Sequence, residues 1–600
     1  MNKTERIAVA VLIGLLIAWS YFGHRLMPSP PPPPAVPAET VAGSDSSAGP
    51  ADPVAADLPP DAALVPAVVA ASGTNAAPVT LTSSSALTPI VRTSEQTVVE
   101  VTNAVMRLRF TSWGGGLASV SLNDFRRTIN EDSGPVIFDF ADRIALSYAD
   151  LPGLSEADDF IVEPLGDNGV RVSRQTENGL MLERTAVLED GYAFTVTDRF
   201  VNTGAAAVPI SEASLQMGSM RNLESGPAMR GMVSLGVDAL RSADEKIEHV
   251  GKALPGLFGV RGGCSRPNLQ GVPMAATTEV PVPLAWMAVK NKFFAQILAP
   301  DADGGSTAAR VRAIRVDNPA TFELDTVSAS LALPVVVIEP GATVERVFRY
   351  YVGPKEYTRL KAEGHKRTEI MEFGRFFKPV CKVLLPLLNG IEAVVPGGYG
   401  MAIILLTIIV KLVFWPVTHK GTESMKRMQK LQPEIKKLRE RYKSDPKKLQ
   451  EKQMLLYREH KVNPLAGCLP MLIQIPVFIG LFTVLRSAVE LRFTQFLWIR
   501  DLSEPEGLLA GVLPFPAGGL NILPLLMTAT MVLQQRMTPS AGDPQQQKMM
   551  AFMPVMMLFI FYNMPSALVL YWTVSQGLSI LQLVLQQRKE SLKTSVAAPA

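Results

Sequence analysis

The chain has 600 residues, 47% of them hydrophobic and 19% charged, with a formal net charge of +3. That length allows two or three domains, and so apolar a composition places part of the chain in lipid. Three cysteines lie far apart without a C-x-x-C pair, and there are only five histidines, so neither a disulfide framework nor a metal site is indicated, and no cofactor or catalytic residue is expected.

The N-terminus opens with the basic flank "MNKTER", then sixteen uncharged residues, Ile7 to Phe22, then His24 and Arg25. The small-residue stretch Ala35 to Ala38 lies too far beyond the apolar run to serve it as a cleavage site, so residues 1–27 read as an uncleaved transmembrane anchor. Residues 28–95, with "PSPPPPP" at their start, are rich in Pro, Ala, Ser and Thr. They cannot bury enough apolar surface to offset their ordering, and read as an extended tether.

Residues 96–357 alternate apolar and polar positions, as in Met106, Leu108 and Phe110 against Arg107, Arg109 and Thr111, between Gly, Asn, Asp and Pro breaks. The period of two predicts a large antiparallel β-sandwich with one core. "SWGGGLASV", Ser112 to Val120, reads as a glycine turn between strands, because no helix follows to complete a phosphate site. The acids Glu156, Asp158 and Asp159 read as solvated loop residues, and His249 is the one histidine in the segment.

Over residues 373–392, Phe373, Phe376, Phe377, Val380, Leu384, Leu387, Leu388 and Ile391 recur at three- and four-residue spacing with Arg375, Lys378 and Lys382 between them. That pattern predicts an amphipathic helix lying in the membrane interface. Five apolar stretches follow within residues 397–588: Tyr399 to Val417, Leu465 to Val489, Leu520 to Gln535, Met549 to Met564 and Ser566 to Leu585. Their lengths suit membrane spans. With the anchor they make six, which places both termini on one side.

Between Thr418 and Asn463 there are fourteen Lys and Arg against six Asp and Glu, whereas Glu490 to Gly519 has two arginines against four acids. The positive-inside rule makes the basic loop and both termini cytoplasmic and the sandwich external, as in a bacterial inner membrane with a periplasmic domain. The basic loop, residues 422–461, should be a helical hairpin, with Met425, Met428, Leu431, Ile435, Leu438 and Tyr442 on one face and "SDP" supplying a turn, with Asp445 as N-cap. Its Lys426, Arg427, Lys436, Lys437, Arg439 and Arg441 would form a cytoplasmic docking surface for an acidic partner, a ribosome or anionic lipid. Residues 589–600 are a short, mildly basic tail.

Lys411 stands inside the second span. Its near company is polar: Thr407 one turn earlier, Gln474 and Thr483 in the third span, Thr528 and Thr530 in the fourth, and Trp572, Ser575, Ser579 and Gln582 on one stripe of the last. The alternative is a lysine that snorkels to the nearby interface. So many polar positions together predict a shared wet cavity instead.

The stretches "KVNPLAGCLPMLIQIPVFIGLF", "LQPEIKKLRERY", "DPQQQKMMAFMP" and "MPSALVLYWTVSQ" resemble signatures of the YidC family of membrane protein insertases, relatives of the mitochondrial Oxa and chloroplast Alb proteins. The resemblance covers about Phe373 to Arg588, and the anchor, tether and sandwich resemble the Gram-negative type. It implies a multi-domain fold: an α-helical polytopic membrane protein, its five-span core enclosing a hydrophilic groove open to the cytoplasm and to lipid, plus the periplasmic sandwich. One cation projects into such a groove. Lys411 occupies that position, where the family more usually has arginine, and Ala567 stands where glycine is common.

Expected groove lining is Thr407, Gln474, Thr528, Ser575 and Ser579, and client spans should slide past Phe478, Phe482, Tyr571 and Trp572. Implied partners are nascent membrane proteins, Sec translocon components, the ribosome through the basic hairpin, and the bilayer, with no sequence-specific nucleic acid. Two other classes fit parts of the sequence. A secondary transporter of a small anion explains Lys411 but not the hairpin, and no inverted repeat is evident. A membrane-anchored glycan-binding sandwich explains neither.

Overall fold

The computed structural model describes residues 80–82, 94–210, 213–221, 223, 235–249, 275–280, 283–301, 308–315, 324–374, 376–443, 445–460, 462, 469–509, 519–537 and 544–596. The anchor 1–27 lies outside these residues, as does most of the tether. One piece of the tether is structured: Thr80–Thr82 is an edge strand, with Thr80 opposite Glu279 of strand Ala275–Val280. Edge pairing uses backbone groups, so even a short segment of the tether can make it.

Alternating residues build the β-rich region as the period of two demands. Strand Leu180–Leu188 buries Leu180, Leu182, Arg184, Ala186 and Leu188 and turns the residues between them outward. A nine-strand antiparallel sheet and a seven-strand sheet are joined by a four-strand sheet over residues 98–139. Side chains from all three, including Phe194, Val327 and Val120, share one hydrophobic core. The turn between strands Met106–Thr111 and Leu117–Arg126 holds Gly114 and Gly115 at positive φ, and a Cβ on Gly116 would stand 2.2 Å from the Ala145 carbonyl, so only glycine serves there.

Inside the core, three neighbouring strands carry Arg184, Asp198 and Arg346 in one row, each opposite the next in register. The Arg184 guanidinium meets both Asp198 oxygens at 2.6 Å and donates to the Gly115 carbonyl at 3.0 Å. Tyr148 donates its hydroxyl to Asp198 at 2.6 Å, and burial followed by the Asp198 charge pushes that hydroxyl well above its ordinary value.

The helices begin where the last strand, Thr343–Pro354, ends: α1 (Tyr357–Ala362), α2 (Lys378–Val394), α3 (Gly398–Lys430), α4 (Gln432–Arg441), α5 (Pro446–Glu459), α6 (Leu469–Ser487), α7 (Ile522–Met537), α8 (Pro544–Phe561) and α9 (Ser566–Val596). Helix α2 covers most of the expected interfacial segment, yet it also packs into the bundle. Its buried face, Cys381, Leu384, Leu385, Leu388 and Ile391, lies against α3 and α6, and Val380 comes close enough to Gly480 that a Cβ there would meet it at 2.8 Å. The opposite face, Val383, Leu387 and Val394, is exposed and apolar.

Helix α3 does not stop at the expected end of its span. It runs 33 residues through Pro416 to Lys430, because nothing after Val417 breaks it until Pro433 opens α4. The hairpin therefore consists of the end of α3 with α4 against α5, around a small core of Leu431, Ile435, Tyr457 and Val462. Asp445 caps α5 by accepting from Lys448 N at 3.1 Å, as the "SDP" turn requires. Helix α9 likewise extends into the expected tail. Among the described residues two helical segments, Gly398–His419 and Ser566–Arg588, are long and apolar enough to cross a membrane; α6, α7 and α8 are shorter.

Where the β-rich region meets the helices, Lys290 donates to Asp238, to Glu372 at 2.7 Å and to the Ile370 carbonyl at 3.0 Å. His249 Nδ1 lies 2.8 Å from the other Asp238 oxygen. Asp238, His249 and Glu372 could together hold a metal ion by spacing, but the Lys290 ammonium already lies between the two carboxylates and serves as their cation.

Nearby Lys355 is 5% exposed, and burial, then the Lys290 charge, push its ammonium down from 10.5 to about 7. The unfolded chain thus holds this proton more tightly than the folded one, so the site opposes folding fully below pH 7 and progressively less as pH rises toward 10.5. Lys355→Met is expected to raise the thermal midpoint of the full chain more at pH 6 than at pH 10. A gain independent of pH would contradict this.

Candidate groove around Lys411

The fourth turn of α3 brings Lys411 opposite α9, where its ammonium donates to Ser579 Oγ at 2.9 Å. Ser579 in turn donates to the Ser575 carbonyl at 3.0 Å. Lys411 therefore points across the bundle, to a partner on another helix, rather than along α3 toward its end.

The α9 face that meets it is a polar stripe. Trp572, Ser575, Ser579, Gln582 and Gln586 follow at spacings of three and four, which stacks them on one side of a helix. Three of them, at Trp572 Nε1, Gln582 Nε2 and Gln586 Nε2, hold buried donors with no protein acceptor among the described residues. Buried donors are costly unless bonded, and in folded proteins those lacking protein partners are served by water. Lys411 sits midway along this stripe.

The other expected lining residues are placed differently. Gln474 of α6 donates its amide to the Tyr571 hydroxyl, joining α6 to α9. Thr407 is buried, with its hydroxyl on the Ile403 carbonyl 2.6 Å away in its own helix. Thr528 does the same with Pro524 at 2.8 Å on α7. Both hydroxyls are thus satisfied locally and ask nothing of a groove.

Of the expected client contacts, Phe478, Phe482 and Trp572 come together: Phe478 and Trp572 meet edge to face at 4.9 Å between centroids, and Phe482 lies 6.4 Å from Phe478. Phe561 at the end of α8 completes the group, 5.8 Å from Phe478 and 5.3 Å from Trp572. No local pattern announced it, because it closes one helix just before a hairpin turn. Tyr571, 1% exposed, faces the bundle interior, so its part is to hold Gln474.

On the hairpin, Lys436, Lys437 and Arg441 are exposed and Arg427 pairs with Glu423 at 2.8 Å; Lys426 and Arg439 are half-buried. At the other end of the bundle polar contacts help to bolt on the β-rich region. Lys292 pairs with Glu504 at 2.5 Å. Arg492 donates to the carbonyls of Arg126 at 2.7 Å and Arg127 at 2.8 Å. The backbone carbonyl of Glu504 also accepts from Ser566 N and Oγ, at 2.9 and 2.7 Å, so the same loop caps α9. In the β-rich region Asp158 pairs with Arg174 at 3.1 Å and Asp159 accepts from Ser94 at 2.8 Å, as loop acids do.

A β-rich region followed by a helical bundle with a lone lysine bonded across its polar stripe defines a two-part membrane protein. The family of the YidC periplasmic domain matches residues 98–385, and that of the 60Kd inner membrane protein matches residues 391–593. The chain belongs to the YidC family.

The membrane protein insertase YidC of Syntrophobacter fumaroxidans is 43% identical over 307 residues, 50% of this chain and 53% of the relative. That of Pelobacter propionicus is 45% identical over 301 residues, with the same shares. The chain thus spans about half the length of the curated relatives it matches. A crystal structure of an active YidC insertase with its first transmembrane domain resolved is 20% identical and covers 83% of this chain and 93% of its own, at a TM-score of 0.34, too loose a likeness to bear on fold or function.

Proposed function

We propose that this chain is a membrane protein insertase of the inner membrane, whose clients are nascent membrane proteins. The anchor with α3, α6, α7, α8 and α9 makes six spans; the β-rich region is periplasmic and both termini are cytoplasmic. The domain limits are those expected from the sequence, with α2 at the outer interface and the hairpin in the cytosol. The observation that carries this reading is the α9 stripe, where donors without protein acceptors flank the Lys411–Ser579 hydrogen bond.

A hydrated cleft with one cation shortens the dry path for a client's polar flank. An aspartate at the centre of a helix entering lipid is disfavoured by ~2.5 to 3.5 kcal/mol, and a membrane potential positive outside favours outward movement of each negative charge by roughly 2.3 kcal/mol per 100 mV. Release into lipid is then downhill for an apolar span. Phe478, Phe482, Phe561 and Trp572 give that span an aromatic track, Ser575 and Gln474 flank it, and the charges Lys436, Lys437 and Arg441 offer a ribosome or anionic lipid a weak docking face. Work beside the Sec translocon is compatible with an exposed bundle side.

Photo-crosslinking from positions 478 and 572 to a stalled nascent membrane protein tests the track. Adducts are expected from both, and few from positions 412 and 413, which are exposed on α3. The reverse pattern would place the client path elsewhere.

A further inference from the structure

The segment joining α6 to α7 carries a tight turn whose tip is apolar. Phe496 and Ile499 exchange backbone hydrogen bonds at 2.9 Å each way, and Leu502 N donates to the Thr494 carbonyl at 3.1 Å. The two residues at the tip, Leu497 and Trp498, are 76% and 40% exposed. Leu497 sits at φ 53, a left-handed conformation that a branched side chain adopts only where the surroundings hold it. Exposing a leucine and a tryptophan side by side on a braced turn is unfavourable in water.

The bracing fixes where the tip lies. The Phe496 ring packs so closely on the first turn of α3 that a Cβ on Gly400 would stand 2.1 Å from it. Trp498 Nε1 donates to Glu506 Oε1 at 3.1 Å, and the same carboxylate accepts from the backbone of Leu523 at 3.0 Å, and from Ile522, at the start of α7. The tip is thus level with the ends of two membrane helices, and the exposed apolar Val394 closes α2 just before α3 begins. Arg500, two residues beyond Trp498, is exposed.

We propose that Leu497 and Trp498 insert into the headgroup region of the outer phospholipid leaflet, with Arg500 on lipid phosphate. An amphipathic indole with its N–H bonded and its ring free suits that layer, and the patch continues the apolar outer faces of α2 and α7. Because the turn is locked to α3 and α7, its grip sets the depth of the helices that carry Lys411. This inference rests on the proposed spanning of the bilayer.

The test uses full-length chain reconstituted in phosphatidylethanolamine–phosphatidylglycerol vesicles, in variants that keep Trp498 alone or Trp415 alone of the six tryptophans. Trp415 is exposed on α3 beside Leu412 and reports whether α3 meets lipid at all. Lipids brominated near the headgroup are expected to quench Trp498 strongly, and aqueous iodide weakly. Quenching of Trp415 by lipid with iodide-accessible Trp498 would overturn the tip and leave the spanning reading intact. Quenching of Trp498 by neither agent would mean that protein covers it and would equally overturn the proposal. Absence of lipid quenching at both positions would refute the spanning reading itself.

Discussion

Lys411→Ala is expected to reduce insertion of clients with acidic translocated tails about tenfold or more, while clients with neutral tails lose little. The ammonium bonds Ser579 on the facing helix at 2.9 Å, so it is held inside the bundle, on the path proposed for a client carboxylate. A carboxylate in hydrocarbon is disfavoured by ~2.5 to 3.5 kcal/mol. Offsetting even about 1.4 kcal/mol of that is a factor of about ten in the equilibrium. Lys411→Arg should retain insertion, because arginine keeps the charge and adds a planar donor fork suited to carboxylates. Reconstituted insertion assays with paired acidic and neutral clients read this directly, and equal losses for both client classes would remove the electrostatic part of the mechanism.

Asp198→Ala is expected to destabilise the β-rich region by about 3 to 5 kcal/mol. The carboxylate is fully buried and binds Arg184, itself 1% exposed, through both oxygens, and it accepts from Tyr148. Removing it strands a buried guanidinium and a buried hydroxyl at once. Replacing the whole group together, with Arg184→Leu, Asp198→Leu, Arg346→Met and Tyr148→Phe, should recover much of the loss, because no charge is then left without its partner. Thermal unfolding of the full chain in detergent, followed by protease resistance of the β-rich fragment, distinguishes the two. A single substitution losing less than about 1 kcal/mol would show that the row is dispensable.

Both effects differ in how far the sequence announced them. Lys411 was visible because a charge in an apolar run stands out, and the α9 stripe was visible because spacings of three and four survive in one dimension. The period of two located the β-rich region, and its end near Tyr357 coincides with the start of α1. The Arg184, Asp198 and Arg346 row was invisible. Its members come from three strands up to 162 positions apart in sequence, 184 to 346, and only register brings them together.

The same holds for Arg492 on the carbonyls of Arg126 and Arg127, and for Phe561 in the aromatic group: contacts across long separations leave no local signature. The helix carrying Lys411 runs past its apolar span for a local reason. Apolar character ends at Val417, but helical geometry continues to Lys430 because the next breaker is Pro433. Thr407 and Thr528 were read as lining on polarity alone, and a threonine in a helix can satisfy its hydroxyl on its own backbone, as both do.

The proposal stands on water reaching the α9 stripe beside Lys411. Single cysteines at positions 575, 579 and 582, in a chain whose Cys264, Cys381 and Cys468 are replaced by serine, can be challenged in inverted membrane vesicles with a membrane-impermeant maleimide. The expected result is modification at all three positions, fastest at 582, and none at a control cysteine replacing the lipid-facing Val413. Protection of all three, with full reaction after the membrane is dissolved, would mean a dry interior around the lysine and would contradict the groove.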